Sequence, residues 1–134
     1  MTEISFLDSN IVVYAFDKRN TTKQEKAFDL LRAKPSISSQ IIIESYNVCS
    51  RKLKMTAVIC DENVLTLTDL CFVKPITESI VSSAIDLKNK YHFSFLDSMV
   101  VATAMAANCN ILYSEDMQHN QIIENSLTII NPFV

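Results

Sequence analysis

The sequence predicts an α/β fold: a mostly parallel sheet with helices on both faces. Three observations point there. Short β-branched and aromatic runs alternate with helical stretches along the chain, the order that parallel sheets require. Helix-start residues follow the strand candidates almost at once. At 134 residues the chain has the size of one domain spanning residues 1–134, able to bury roughly two thirds of the surface an unfolded chain exposes.

The elements follow in order. Ile4 to Leu7 is a short apolar strand candidate, ended by Asp8-Ser9-Asn10, residues that favour turns and helix starts. A second helix is expected from about Thr21 to Arg32, with Ala27, Leu30 and Leu31 on one face and Pro35 closing it. Ser36 to Ser39 gives a very short strand and a helix start, and the helix runs from Gln40 to about Lys54. Its end, Arg51-Lys52-Leu53-Lys54, places cations where the helix dipole favours them. Ala57 to Leu70 reads as another helix and Cys71 to Lys74 as a strand stopped by Pro75. Thr77-Glu78 starts a helix to about Lys90. Ser94-Phe95-Leu96-Asp97 matches a capping box at the head of an apolar helix to about Asn108. Ile111 to Tyr113 and Leu127 to Ile130 are the last two strand candidates.

Composition narrows the class. The chain is 49% hydrophobic and 20% charged, as in ordinary globular domains. Met1 to Ser9 has neither a basic start nor a long apolar run, so no secretory signal is expected and the sequence predicts a cytoplasmic protein. The apolar stretch Met99 to Ala107 is far short of the ~20 residues a membrane span needs. Four cysteines (Cys49, Cys60, Cys71, Cys109) are scattered, and two histidines (His92, His119) lie far from one another. That pattern suits free packing thiols and disfavours a zinc enzyme.

There is no glycine, which excludes the glycine-rich phosphate loops and the G-x-S-x-G nucleophile elbow. Left-handed turn positions are expected to fall to residues such as Asn108 and Asn110. Phe6 to Ala15 (FLDSNIVVYA) echoes Phe95 to Ala104 (FLDSMVVATA). The surroundings predict different elements, so the echo is coincidence; in each copy an aspartate enters a helix from an apolar lead.

Parallel sheets bind ligands at the carboxyl ends of their strands. Asp8 directly follows the first strand, Ser114 to Asp116 follow the fourth, Glu44 lies early in a helix that leaves a strand end, and Asp97 sits in the first turn of another. Each has an ordinary structural role available: Asp8 and Asp97 as helix caps, Glu44 as a solvated helix acid, Asp116 as a turn starter.

Four segments together resemble the PIN-domain family, and within it the VapC-type toxins: FLDSN at 6–10, SSQIIIESYN at 38–47, FSFLDSMVVATAM at 93–105, and ILYSEDMQHNQIIENSLTIINPF at 111–133. The resemblance implies a three-layer fold whose five-stranded sheet is ordered 3-2-1-4-5. It makes Asp8, Glu44, Asp97 and Asp116 an acidic cluster that binds Mg2+ or Mn2+, with Asn10 and Ser114 as polar companions and RNA as substrate. It also implies a cognate antitoxin and a homodimer. The apolar content of Ile41 to Val48 and Val58 to Leu70, more than one small domain is expected to bury, agrees with a covered surface.

Chemistry independent of the name favours the same grouping. Magnesium takes hard oxygen ligands, usually one or two carboxylates directly and the rest through water. Asp8 and Asp97 are assigned as direct ligands, and Glu44 and Asp116 as groups that orient water or a second ion. Two carboxylates ~5 Å apart repel by roughly 3 kcal/mol at an effective dielectric of ~20, so such a cluster calls for a cation. The net charge of −3 is no obstacle. With those four acids set aside, 12 basic residues face 11 acidic ones. Arg51, Lys52, Lys54, Lys18 and Arg19 are candidate RNA-phosphate contacts, with Asn47 and Arg51 placed on the helical face of Glu44 by their i+3 and i+7 spacing.

Three other functions remain in view. One is a structure-specific DNA nuclease of similar metal chemistry, and another a PIN-like domain that binds RNA without cutting it. The third is a receiver-like module, which would want paired acids after the first strand and a lysine in the late loop. Ser9 and Asn10 stand in the first of those places.

Overall fold

The computed structural model describes residues 3–134. Among them are six strands, β1 (Ser5–Leu7), β2 (Ser36–Ser38), β3 (Phe72–Lys74), β4 (Ile111–Tyr113), β5 (Ile122–Ile123) and β6 (Leu127–Ile130). Six helices accompany them: α1 (Ser9–Phe16), α2 (Thr21–Arg32), α3 (Ser39–Asn47), α4 (Ala57–Leu70), α5 (Glu78–Tyr91) and α6 (Phe95–Ala106). One sheet runs β3-β2-β1-β4-β6-β5, parallel except for its last pair.

The expected order of five strands is present, with β6 in fifth place, and the sheet carries one strand more. β5 is a two-residue edge strand, antiparallel to β6, with Ile123 opposite Leu127. The connection turns at Glu124 and Asn125, both left-handed (φ 50° and 54°), and Ser126 N–H donates to Ile123 O at 3.0 Å. Two successive left-handed residues make the mirror-image turn that suits hairpins, and with Ile123 opposite Leu127 the connection holds three residues, Ser126 being the extra one.

Each helix begins on a side chain that satisfies a free backbone N–H. Asp8 accepts from Ser9, Asn20 from Lys23, Ser38 from Ile41, Thr56 from Ile59, Thr77 from Ile80 and Ser94 from Asp97. At α6 only half of the expected capping box forms: Ser94 Oγ accepts from Asp97 N at 3.1 Å, while the Asp97 carboxylate faces the cleft described below.

The long helix expected from Gln40 to Lys54 is also modified. After Asn47 the helix widens into a π-type turn over Val48–Lys52, where Leu53 N–H reaches back to Val48 O, and Lys54 (φ 57°) ends it.

The core is built where the sheet meets its helices. Phe6, Leu7, Ile37, Leu112 and Ile129 of the strands pack with Ile11, Val12, Leu31, Ile41, Val101 and Ala104 of the helices, all at most 2% exposed. Among the described residues all four cysteines are free, and burial raises the thiol pKa of Cys49, Cys71 (to about 11) and Cys109. They are packing groups, not nucleophiles. No helix among these residues is long and apolar enough to cross a membrane.

Without glycine, seven other residues among those described take left-handed conformations: Lys34, Lys54, His92, Asn108, Asn120, Glu124 and Asn125. Asn108 is among them as expected; Asn110 is not. Its side chain instead accepts from Ile4 N–H at 2.9 Å, fastening the start of β1. His92, exposed and at φ 63°, follows α5 in the position glycine usually fills. His92→Gly is expected to stabilise the protein by about 0.5–1 kcal/mol, the relief of left-handed strain less the extra entropy of the unfolded chain. A lower denaturant midpoint would contradict it.

Candidate active site

The parallel strands point their carboxyl ends at an open cleft of about 600 Å³. Asp8 reaches it from the end of β1, Glu44 from α3, Asp97 from the first turn of α6, and Glu115 and Asp116 from the segment after β4. All of the sequence-selected acids therefore line one cavity. Asn10 lines it too, and Ser114 lies fully buried beneath, bonded to Asp8.

Asp8 is the most enclosed of the four, 5% exposed. Its Oδ1 accepts from Ser9 N–H and its Oδ2 from Ser114 Oγ, each at 2.8 Å. Asn10 Nδ2 adds a longer contact at 3.4 Å. Burial pushes the Asp8 carboxyl up to about 6; the Ser114 and Ser9 hydrogen bonds oppose that, and the charges of Asp97 and Glu44 reinforce it. Loss of water thus outweighs the mutual repulsion among the acids expected from the sequence.

Glu44 is fastened to the head of α6, next to Asp97, through Gln40, one turn before Glu44. Its Nε2 donates to Glu44 Oε2 at 3.3 Å and to the Leu96 carbonyl at 3.2 Å, linking α3 to the head of α6. Its Oε1 is buried and accepts no hydrogen bond among the described residues. Asp116 is exposed and accepts from Asn10 Nδ2 at 3.2 Å.

These donors are hard oxygens, and they fit a divalent cation that keeps much of its water. Among the described residues no three His, Cys, Asp or Glu side chains are gathered tightly enough to enclose a metal by themselves. A magnesium-type ion does not need them to be, since it takes one or two carboxylates and leaves waters for the others to hold.

The basic candidates divide. Lys52 and Arg19 line the cleft, although Arg19 is also paired to Asp17, both of its contacts being 2.9 Å. Arg51 lies in an adjoining groove with Asn47, Val48 and Lys52, while Lys18 and Lys54 line neither. Asn47 and Arg51 are not on the cleft face of Glu44, where Val48 and Lys52 stand instead. For Lys52 in place of Arg51 the π-type turn explains the shift, because its extra residue passes the i+7 place to i+8; Val48 in place of Asn47 is the ordinary i+4 neighbour on the same helical face.

Tyr14, Asp17, Lys23, Gln40 and Glu115 join the site or its wall without having been singled out from sequence. Spacing could have found two of them, since Tyr14 is four residues from Asn10 and Gln40 four from Glu44. Lys23 comes from a different helix and has no such signal. His119 is elsewhere, accepting from Asn131 N–H at Nδ1.

Comparison with known proteins gives a family-level match and a fold-level one. The PIN domain model matches residues 5–124. No curated protein matches the chain in sequence. VapC20 of Mycobacterium tuberculosis, a sarcin-ricin loop cleaving toxin, superposes with a TM-score of 0.68 at 16% identity, over 84% of this chain and 89% of that one. A toxin-antitoxin complex from Klebsiella pneumoniae gives 0.70 at 19% identity, over 96% and 97%. VapBC2 from Rickettsia felis, bound to a DNA fragment from its promoter, gives 0.68 at 17% identity, over 94% and 96%.

Proposed function

Since this chain belongs to the PIN-domain family, we propose that it is a Mg2+- or Mn2+-dependent endoribonuclease, the toxin half of a toxin-antitoxin pair, acting in the cytoplasm as one domain over residues 1–134. The observation that carries the reading is the convergence of Asp8, Glu44, Asp97 and Asp116, from four separate segments, on one cleft at the carboxyl edge of the sheet.

Asp8 and Asp97 would hold the ion directly, and Glu44 and Asp116 would orient its waters or a second ion. A divalent ion bound there supplies activation of water for in-line attack on phosphorus and charge neutralisation at the leaving oxygen. The chain's own groups do the rest. Ser114 and Ser9 hold the Asp8 carboxylate in one orientation, Asn10 sets Asp116 against it, and Gln40 keeps Glu44 on the wall of α6. Lys52 and Arg19 meet phosphates at the rim, with Arg51, Lys54 and Lys18 extending the basic margin; such contacts position RNA without reading its bases.

A cognate antitoxin would cover or invade the acidic cleft, and the chain would pair with a second copy. The apolar surface between α3 and α4 supports a covered face: Ile43, Val58 and Leu65 are each more than 60% exposed, and Ile42, Ile43, Tyr46, Val64 and Leu65 line a groove there.

Single-stranded RNA and DNA incubated with Mg2+, Mn2+ or chelator, with wild type beside Asp97→Asn, test the proposal. Cleavage of RNA only, stopped by chelator and by the substitution, is the expected result. Preferential cutting of DNA would make the chain a different nuclease. RNA binding without cleavage under every metal condition would make it a binding domain.

A further inference from the structure

Asp116 is the most exposed acid of the cleft, and Asn10 is the one side chain that hydrogen-bonds it among the described residues. What holds Asn10 lies one layer further out. Glu115 N–H donates to Asn10 Oδ1 at 3.1 Å, while Asn10 Nδ2 faces the carboxylates of Asp116 and Asp8. That fixes the amide: turned over, its oxygen would meet two carboxylates and its nitrogen a backbone N–H.

The Glu115 side chain is clamped in turn. Tyr14 Oη donates to its Oε1 at 2.6 Å, and Lys23 Nζ forms an ion pair with its Oε2, both charged side chains being less than one third exposed. The ammonium also donates to Tyr14 Oη at 3.2 Å and lies over the rings of Tyr14 and Phe133, 4.8 and 4.9 Å from their centroids. Those rings meet edge to face at 5.3 Å. Residues from α1, the segment after β4 and the segment after β6 thus close around one lysine of α2.

We propose that Lys23 is a positioning residue of the acidic cleft. By pairing with Glu115 it fixes the Ser114–Asp116 segment, and through the Glu115 N–H and Asn10 it holds Asp116 in place. It also cancels the charge of a fifth carboxylate at the cleft wall, which would otherwise repel Asp116 and its neighbours. The inference rests on the reading that Asp116 helps to hold a divalent ion or its waters.

The test titrates Mn2+ into the full chain by calorimetry and separates kcat from KM on single-stranded RNA. Lys23→Met is expected to weaken Mn2+ binding and lower kcat, each about tenfold, within the range that loss of a supporting partner costs a metal site, with KM little changed. In the double variant Lys23→Met/Glu115→Gln the uncompensated charge is gone but the clamp is still missing, so part of the Mn2+ affinity is expected to return, and the remaining deficit reports the lost positioning. Tyr14→Phe, which leaves no unpaired buried charge and is the measurement to rely on if Lys23→Met does not fold, is expected to weaken Mn2+ binding roughly threefold, less than a full supporting partner.

A lower melting temperature with Mn2+ affinity and kcat equal to wild type would make Lys23 a stabilising residue only and overturn the inference. A wild-type protein that binds no Mn2+ would overturn both this inference and the reading beneath it. A wild type that binds Mn2+, with all three variants indistinguishable from it, would overturn this inference alone.

Discussion

Asp8→Asn is expected to end RNA cleavage while making the metal-free protein more stable. The carboxylate is 5% exposed, and burial holds its pKa at about 6, against 3.8 unperturbed. About two pKa units, at roughly 1.4 kcal/mol each, is a penalty of about 3 kcal/mol for keeping the group ionised in the folded state at neutral pH. Asparagine removes the charge and keeps an oxygen for Ser9 N–H. The bond from Ser114 must be rearranged, so only part of the penalty is recovered, for a rise in melting temperature on the order of 5 °C. Activity should fall by more than the roughly hundredfold cost of losing an outer partner of a metal site. A variant that melts earlier and still cleaves would show that Asp8 is a helix cap and nothing more.

The second large effect is a pH dependence that metal should erase. The folded Asp8 carboxyl binds its proton more tightly than the unfolded one, because its pKa is raised. Its contribution to stability is therefore whole below about 3.8, is eroded as pH rises toward 6, and is gone above that. Asp17 beside Arg19 and Glu124 beside Lys90 act the other way, their pKa values being lowered by those partners. The clean measurement is thus wild type minus Asp8→Asn. In metal-free buffer that difference in unfolding free energy should move against wild type by about 2.4 kcal/mol between pH 4 and pH 7. Mn2+ at about one hundred times its dissociation constant should restore roughly 2.7 kcal/mol to wild type at pH 7. It should do much less at pH 5, where a proton already occupies Asp8. A difference curve flat across this range would mean that the carboxylate is not held in a low-dielectric site.

Much of this was legible before any coordinates. The β1 apolar run, the Asp8-Ser9-Asn10 break and the helix behind it are local signals, and the structure reads them as written. The positions of Glu44 and Asp97 early in helices were visible for the same reason. The extra strand was not, since β5 is two residues long and its turn uses Glu124-Asn125 where the familiar signal contains glycine. Asn110 looked like a left-handed residue because asparagine tolerates that conformation, and the need to fasten Ile4 N–H decided otherwise. The π-type turn carries no sequence signal that distinguishes it from the α-helix before it, and the Lys23 clamp could not be read because it joins Lys23 to Glu115, 92 residues away.

The centre of the sheet carries a temporal consequence. β1 lies between β2 and β4, and the Ser114 hydroxyl that steadies Asp8 arrives 106 residues later in the chain. Ser114 N–H is in turn held by the Ile130 carbonyl of β6 at 3.0 Å. Contacts of such long sequence separation form slowly and together. A polypeptide still under synthesis therefore carries Asp8, Glu44 and Asp97 before it can assemble them with Asp116, and the hydroxyl that steadies Asp8 is itself anchored only once the chain has reached Ile130.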